Sequence, residues 1–505
     1  MKKRSIVAII AGIMMISAMG GCGGNGIKEN SSAAATDAVD GKDEPYTVTM
    51  LLRGEQQPDE ERIEKAMNKI LEKELNAKID IVMLPWSNAT QQLQLMLSGD
   101  EKLDLFYATG EESVPYVNSG QVLDMSEYLD KYGDNLKEIY GEDVMKINNI
   151  EGYVYGTPVQ IERGSIPAIF LRKDILEKYD IDVSKIKEPK DMDAVFEKVK
   201  VGEPDMTMLY STNGGNLAPV NRLFGGDDLT DHFGVLMDPV NDAKVENFYE
   251  TQWFKDTTKM LYDWTKKGYI SKDAATNPDD WTSMMKAGNL FSIITIYHPG
   301  SIVEFESTTN QEFECITFQD DPVITSSSYN EIVFSLARNS ENPDKAIEVL
   351  DYIYGSPELM NLLNWGEEGT DYVIEDKENG IINYPEGKNA DSVGYSMNSG
   401  WELPNQFIAY KWHGSEPDLW EQLEDFNNNA KESKAAGFTF DNTEYADQLS
   451  ALNNVVSQYG GSLLSGTGDP DTYISKFLKA LKDAGIDDVI DGKKKQLDIW
   501  IEKQK

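Results

Sequence analysis

The groups able to donate protons, attack carbonyls or ligate metals are three histidines, two cysteines and 87 acidic residues. Their spacing matches no catalytic arrangement. The chain has no GxSxG elbow, no HExxH pair and no glycine-rich loop leading into Lys-Ser/Thr. Glycoside hydrolysis needs two carboxylates facing each other across a bond. The adjacent pairs Glu367-Glu368, Asp227-Asp228 and Asp279-Asp280 are neighbours in sequence, which does not oppose them, and so acidic a chain produces such pairs by chance. Acidic turns miss the EF-hand spacing, and no motif asks for a metal or a cofactor. What recurs instead is an aromatic ring beside a polar group where an apolar run breaks: Trp86-Ser87-Asn88, Tyr297-His298, Asn364-Trp365, Trp401 with Asn398 and Asn405, and Tyr410 with Trp412. A flat ring covers the C–H face of a sugar, and Asn, Asp, Arg or His answers its hydroxyls. Such groups gather in concave sites. Peptide ligands use the same rings, so both classes stay open.

Strands and helices must position these residues. Tyr46 to Leu52 alternates and branches as a strand, followed by apolar positions Ile63, Ala66, Met67, Ile70, Leu71 and Leu75 at helical spacing. "IDIVMLP" and "KLDLFYA" are two further strands around a helix that Asn88 to Gln91 opens as a capping box. Strands separated by helical stretches predict crossovers and a mainly parallel sheet, with ligands beyond the carboxyl ends of its strands. Those ends are Arg53-Gly54, Pro85-Trp86 and Tyr107 to Gly110. A second group starts at "IPAIFLRKDIL". It continues through helices at 191–199 and 245–267, the strand "NLFSIITIYHPG", and the strands "FECITF" and "EIVFSLA". Asn342-Pro343 and Asp469-Pro470 each open a helix in the favoured cap-then-proline order. The last quarter reads as mostly helical. Trp253 and Trp264 fall at helical spacing and read as packing residues.

The chain opens with Lys2, Lys3 and Arg4, an apolar stretch from Ile6 to Ala18, and small residues before Cys22. That order predicts a signal peptide over 1–21, too short for a membrane span. Residues 22–45, rich in Gly, Asn, Ser and Asp, read as a flexible tether. Cys315, in apolar "FECITF", reads as a structural thiol. The 460 residues after position 45 suffice for two substantial domains. A formal charge of −40, spread along the chain, repels nucleic acid and anionic lipid.

Met19-Gly20-Gly21-Cys22 resembles a bacterial lipobox, with Met where Leu is usual. "LPWSNATQQLQLMLSGDEKLDLFYA", "EGYVYGTPVQ", "YETQWFKDTTKMLYDWTKKGYISKDAAT", "NPDKAIEVLDYIYGSPELMNLLNWGEEGTDY" and "ISKFLKALKDAGIDDVIDGKKKQLDIW" together resemble the extracellular solute-binding lipoproteins of bacterial ABC importers. The likeness is to the oligosaccharide-binding class that includes the maltose-binding protein, in its longer Gram-positive, LplA-like branch. The resemblance implies a periplasmic-binding-protein-like α/β fold: two α/β lobes, a ligand cleft between them and a helix-rich C-terminal region. It implies lobe 1 over 46–164 plus 321–375, and lobe 2 over 165–320 plus 376–505. It implies a monomeric, non-enzymatic receptor, lipidated at Cys22 and held on the extracellular face of the cell membrane. That receptor delivers an oligosaccharide to ABC permease subunits. Carried onto this sequence, the ligand-binding positions are Trp86, Tyr107, Tyr297, Trp365, Glu367 and Trp401, with Arg53, Arg163 and Asn405 as polar partners and His298 as a further hydrogen-bonding candidate.

Overall fold

The computed structural model describes residues 44–504 apart from 87, 100, 151, 213–216, 277–279 and 391. The expected signal peptide, Cys22 and the tether up to 43 lie outside the described residues. Two sheets, each with its own core, organise the rest. In the first, β1 (Tyr46–Arg53) lies between β2 (Ala77–Leu84) and β3 (Leu105–Ala108), parallel to both. The strands Val333–Leu336 and Thr157–Pro158 extend it antiparallel. Val48, Met50 and Leu52 face one apolar cluster and Leu51 faces another. Burial on both faces is why β1, alternating at its start, becomes continuously apolar over Met50, Leu51 and Leu52. Helix α1 (Glu60–Leu75) buries Ile63, Met67 and Leu71 on this core and stops at Asn76 in the left-handed region. Helix α2 (Ala89–Ser98) begins after Asn88, but the Asn88 side chain caps nothing, so the expected capping box does not form.

The second sheet runs Phe313–Thr317, Ile166–Arg172, Leu290–Tyr297 and Thr207–Leu209. The helix expected over 245–267 is shorter, Gln252–Lys266, because the Thr251 hydroxyl accepts from Phe254 N at 3.1 Å and starts it there. Trp264 lies in the second core and Trp253 packs against it. Up to about residue 445 the C-terminal region holds short strands and 3-10 turns, apart from the helix Leu419–Asn429. Its helices Ala446–Val455, Pro470–Asp483 and Ile486–Gln504 then bury Leu452, Phe477, Leu481 and Leu497 in the second core.

The return to the second body expected at 376 occurs later. Tyr395 and Leu403 sit in the first core. The Tyr395 hydroxyl donates to Leu363 O at 2.7 Å. Residues from Ala435 onward belong to the second core. Three segments pass between the bodies side by side: Ser165 bridges Val323, and Val323–Ile324 pairs with Lys431–Glu432. Two buried side chains tie them. The Asn427 Oδ1 accepts from Arg163 N (2.6 Å) and Gly164 N (3.3 Å), while its amide donates to Ile161 O (3.0 Å). Asp227, with no solvent exposure, accepts from Leu229 N, Ser326 N, the Ser326 hydroxyl and the Ser433 hydroxyl at 2.6–3.1 Å. A Cβ at Gly164 would meet Pro322 at 2.9 Å and Phe426 at 3.1 Å, so the close approach of these segments requires glycine.

Candidate functional site

A cleft of about 1330 Å³ opens between the two bodies. On its first wall the strand ends converge as the parallel arrangement demands. Arg53 closes β1, Trp86 follows β2 and Tyr107 belongs to β3. The buried Arg53 guanidinium donates to Glu112 Oε2 at 2.5 Å and lies 5.0 Å from the Tyr107 ring and 5.8 Å from the Trp86 ring. Glu112 also accepts from Thr109 N, capping α3 (Gly110–Asn118). Burial opposes ionisation of Glu112, but Thr90, Thr109 and Arg53 together hold its carboxyl below the usual range. Tyr107 presents its edge to Trp86 at 5.8 Å. The Trp86 and Trp401 rings lie nearly parallel, 13° apart with centroids at 6.1 Å, and are 46% and 45% exposed. Two large indoles left open to solvent, one just past a strand and one in the short 3-10 turn Gly400–Glu402, are the exception among large aromatic side chains. Beneath them Glu402 is 3% exposed, and its Oε2 has no partner. Burial, only partly offset by Ser399 and Arg53, pushes its carboxyl up to about 7.

A second aromatic station lies further along the same side. Trp365 stacks on Trp412 at 5.2 Å, and Tyr384 meets Trp412 edge-on at 4.4 Å; all three line the cleft. Trp365 is 5% exposed and its indole N–H donates to Tyr410 O at 3.1 Å, so Trp412 and Tyr384 offer the accessible faces. Trp420, stacked on Phe407 at 5.9 Å, adds a third ring.

Where the second sheet delivers its strand end, His298 lies 3.9 Å from Glu162 and 3.7 Å from Glu304, with Nδ1 donating to Pro299 O at 2.9 Å. Burial disfavours its charge, but the two carboxylates outweigh that and raise its pKa above the ordinary 6.5. Burial also raises the Glu162 carboxyl. The folded state therefore holds the imidazolium more tightly than the unfolded chain does. Stability from these contacts is fully present below pH 6.5 and is lost as pH rises through the elevated value. The unfolding free energy of wild type should exceed that of His298→Gln by more at pH 6 than at pH 9 in urea titrations. A pH-independent difference would refute the pairing. Arg163 reaches the cleft from the crossing segment, donating to Gln160 Oε1 at 2.7 Å with its guanidinium over Tyr329.

Of the ten positions expected from sequence, Arg163, His298, Trp365 and Trp401 line the cleft. Trp86, Arg53 and Tyr107 join them through the Trp401 stack. Three are corrected. The Asn405 amide is buried, donating to Tyr354 O at 2.9 Å and accepting from Phe407 N. Glu367 accepts from Arg62 at 2.7 Å in an ion pair that also holds Asp371. Tyr297 meets Phe426 edge-on at 6.3 Å and is not among the residues that line the cleft. His413, next to Trp412, pairs with Glu375 at 2.7 Å on the surface. Sequence reasoning missed Tyr384, Trp420 and Arg222, which line the cleft. Trp420 hides in helical spacing, and Arg222 precedes a Gly-Gly break that reads as an ordinary turn. Among the described residues no group of three His, Cys, Asp or Glu could hold a metal, and no helix is long and apolar enough to cross a membrane.

The model of the bacterial extracellular solute-binding protein family matches residues 55–358, and a domain of unknown function, DUF3502, matches 434–502. A carbohydrate ABC transporter substrate-binding protein of Streptococcus pneumoniae serotype 4 is 26% identical over 513 residues, covering 99% of this chain and 98% of its own length. Among solved structures, the N-glycan transport solute binding protein NgtS of Streptococcus pneumoniae superposes with a TM-score of 0.80 at 25% identity, covering 91% of this chain and 100% of that one. The same protein in complex with Man5GlcNAc gives 0.71 at 25% identity, covering 91% and 99%.

Proposed function

The chain belongs to the bacterial extracellular solute-binding protein family, and on that premise we propose that it captures an oligosaccharide outside the cell and delivers it to an ABC-type importer. The observation that carries this reading is a large cleft lined by exposed or half-exposed indoles from Trp401, Trp412 and Trp420, with polar and charged groups around them. Broad apolar rings among polar groups suit the alternating C–H faces and hydroxyls of a sugar chain. A volume of about 1330 Å³ accommodates several sugar rings rather than one. The two bodies act as lobes of a clamp, the first including 46–164 and 321–408 and the second including 165–320 and 435–504. Ligand that touches both lobes selects closure, since only differential affinity shifts such an equilibrium. The importer's permease subunits recognise the closed form. Lipidation of Cys22 holds a monomeric receptor at the outer face of the membrane, and the bound glycan leaves chemically unchanged.

Calorimetric titration with mannose- and N-acetylglucosamine-containing oligosaccharides tests the reading. Wild type should bind stoichiometrically, and Trp401→Ala should weaken binding by about 2 kcal/mol, roughly 30-fold in Kd. Trp401 is the ring to remove, because truncating the buried Trp365 would disturb the fold. Saturable binding that Trp401→Ala leaves intact would remove the platform assignment, and slow hydrolysis of the glycan would remove the receptor reading.

A further inference from the structure

We infer that Arg222 is the second lobe's anchor for the ligand, donating hydrogen bonds to the uncharged oxygens of a neutral glycan. The inference rests on the carbohydrate reading above. Arg222 lies in the short helix Pro219–Leu223, where Val220 and Leu223 are buried in the second core and fix the backbone, while Arg222 itself lines the cleft. The other described arginines all have an acceptor. Arg53 holds Glu112, Arg62 holds Asp371, Arg163 holds Gln160, Arg172 holds Asp174, and Arg338 reaches Gly120 O. The Arg222 backbone N–H donates to Ala218 O, but its side chain alone of these arginines makes no hydrogen bond and has no carboxylate within 4 Å among the described residues, and its Nε is sealed from solvent without an acceptor. A guanidinium carries five donors in a fixed fork, and a buried donor left unpaired is costly. Outer N–H groups directed into an open cleft take their acceptors from what fills it.

The charge around Arg222 decides which acceptors those are. Asp228 and Glu331 act on it electrostatically without contacting it. Among the described lining residues, the cations Arg163, Arg222 and Lys286 face four carboxylates, Glu162, Asp228, Glu304 and Glu331. The cleft is therefore close to neutral inside a protein of formal charge −40, its one excess carboxylate offset by the imidazolium that Glu162 and Glu304 favour at His298. Arg222 lacks acceptor atoms rather than counter-charge. A uronic or sialic acid would add an uncompensated negative charge to a cleft whose own charges already balance. Vicinal hydroxyls, a ring oxygen or an amide carbonyl supply acceptors at no such cost.

Calorimetry with two matched ligands tests this: a neutral mannose- and N-acetylglucosamine-containing oligosaccharide, and the same chain capped with sialic acid. Wild type should bind the capped chain about tenfold or more weakly than the neutral one. Arg222→Gln should lose about tenfold in affinity for the neutral chain, with Arg222→Lys between, while thermal unfolding of the free protein stays unchanged or shifts upward. Equal or tighter binding of the capped chain by wild type would overturn the neutral-ligand assignment, a comparison that needs no variant. Unchanged affinity of Arg222→Gln for the neutral chain would overturn the anchor. Wild type that binds neither chain, nor any other oligosaccharide, would instead bring down the carbohydrate reading on which both depend.

Discussion

Replacing Asp227 with alanine is expected to lower the unfolding free energy by about 3–5 kcal/mol, the largest effect of any single substitution argued from this structure. The carboxylate has no cation; it is held entirely by neutral donors. Those donors come from three places in the chain: Leu229 beside it, Ser326 in one crossing segment and Ser433 in another. Alanine leaves two backbone N–H groups and two hydroxyls without acceptors in a region sealed from water. Asparagine keeps one acceptor oxygen but turns an amino group toward two donors, so Asp227→Asn should cost less than alanine yet remain clearly destabilising. Exposed ion pairs such as Lys65–Glu61 should give changes below about 1 kcal/mol when broken. Urea midpoints at fixed m-value measure all three. A loss under about 1 kcal/mol for Asp227→Ala would mean that these segments are held elsewhere. On the clamp proposed above, these segments are the hinge, and the same variant should alter the change in radius that solution scattering would measure when ligand is added.

Glu402 carries the second large expectation. Its carboxyl is raised to about 7 by burial, so between its usual 4.5 and about 7 the folded protein keeps a proton that the unfolded chain has lost. Stability must therefore fall as pH rises across that window, and the loss is complete above it. Glu402→Gln, which mimics the protonated acid, removes this penalty. The variant should match wild type below pH 4.5 and exceed it by up to about 3 kcal/mol at pH 8. Thermal unfolding of both proteins from pH 4 to pH 8 tests the sign as well as the size. A variant less stable than wild type at pH 8 would show that the ionised carboxylate is a wanted partner of Arg53.

The first sheet was legible because its signal is local. Tyr46–Arg53 alternates through Val48 and then runs apolar over Met50, Leu51 and Leu52, a strand signal carried within eight residues. Helix starts at Asn342-Pro343 and Asp469-Pro470 were equally readable, since cap and proline act within one turn. The path of 376–412 was not. Tyr395 and Leu403 join the first core through contacts with residues more than thirty positions away, such as Tyr395 with Leu363. No local pattern tells an apolar residue which of two cores will take it. The candidate site divides the same way. Aromatic residues at strand exits announced the cleft, because exposure there conflicts with their chemistry. Asn405 and Glu367 misled, because an amide or carboxylate in a turn reads the same whether it waits for a ligand or already holds Tyr354 or Arg62. Arg222 carries the converse lesson: its importance lies in a missing partner, which no sequence displays.

The late return of the chain to its second core has a kinetic consequence. The first core needs Leu403, and the second needs Leu497, so neither is complete until most of the polypeptide is present. The Ile166–Arg172 strand must wait for helices made some three hundred residues later, leaving its apolar face uncovered in the interval. Contacts so distant along the chain make for slow folding through exposed intermediates. Such a polypeptide stays loose until its end emerges, the condition in which a chain can still be threaded through a narrow pore. Shortening it within 434–502 should trap it there, its first half compact and its second unable to close.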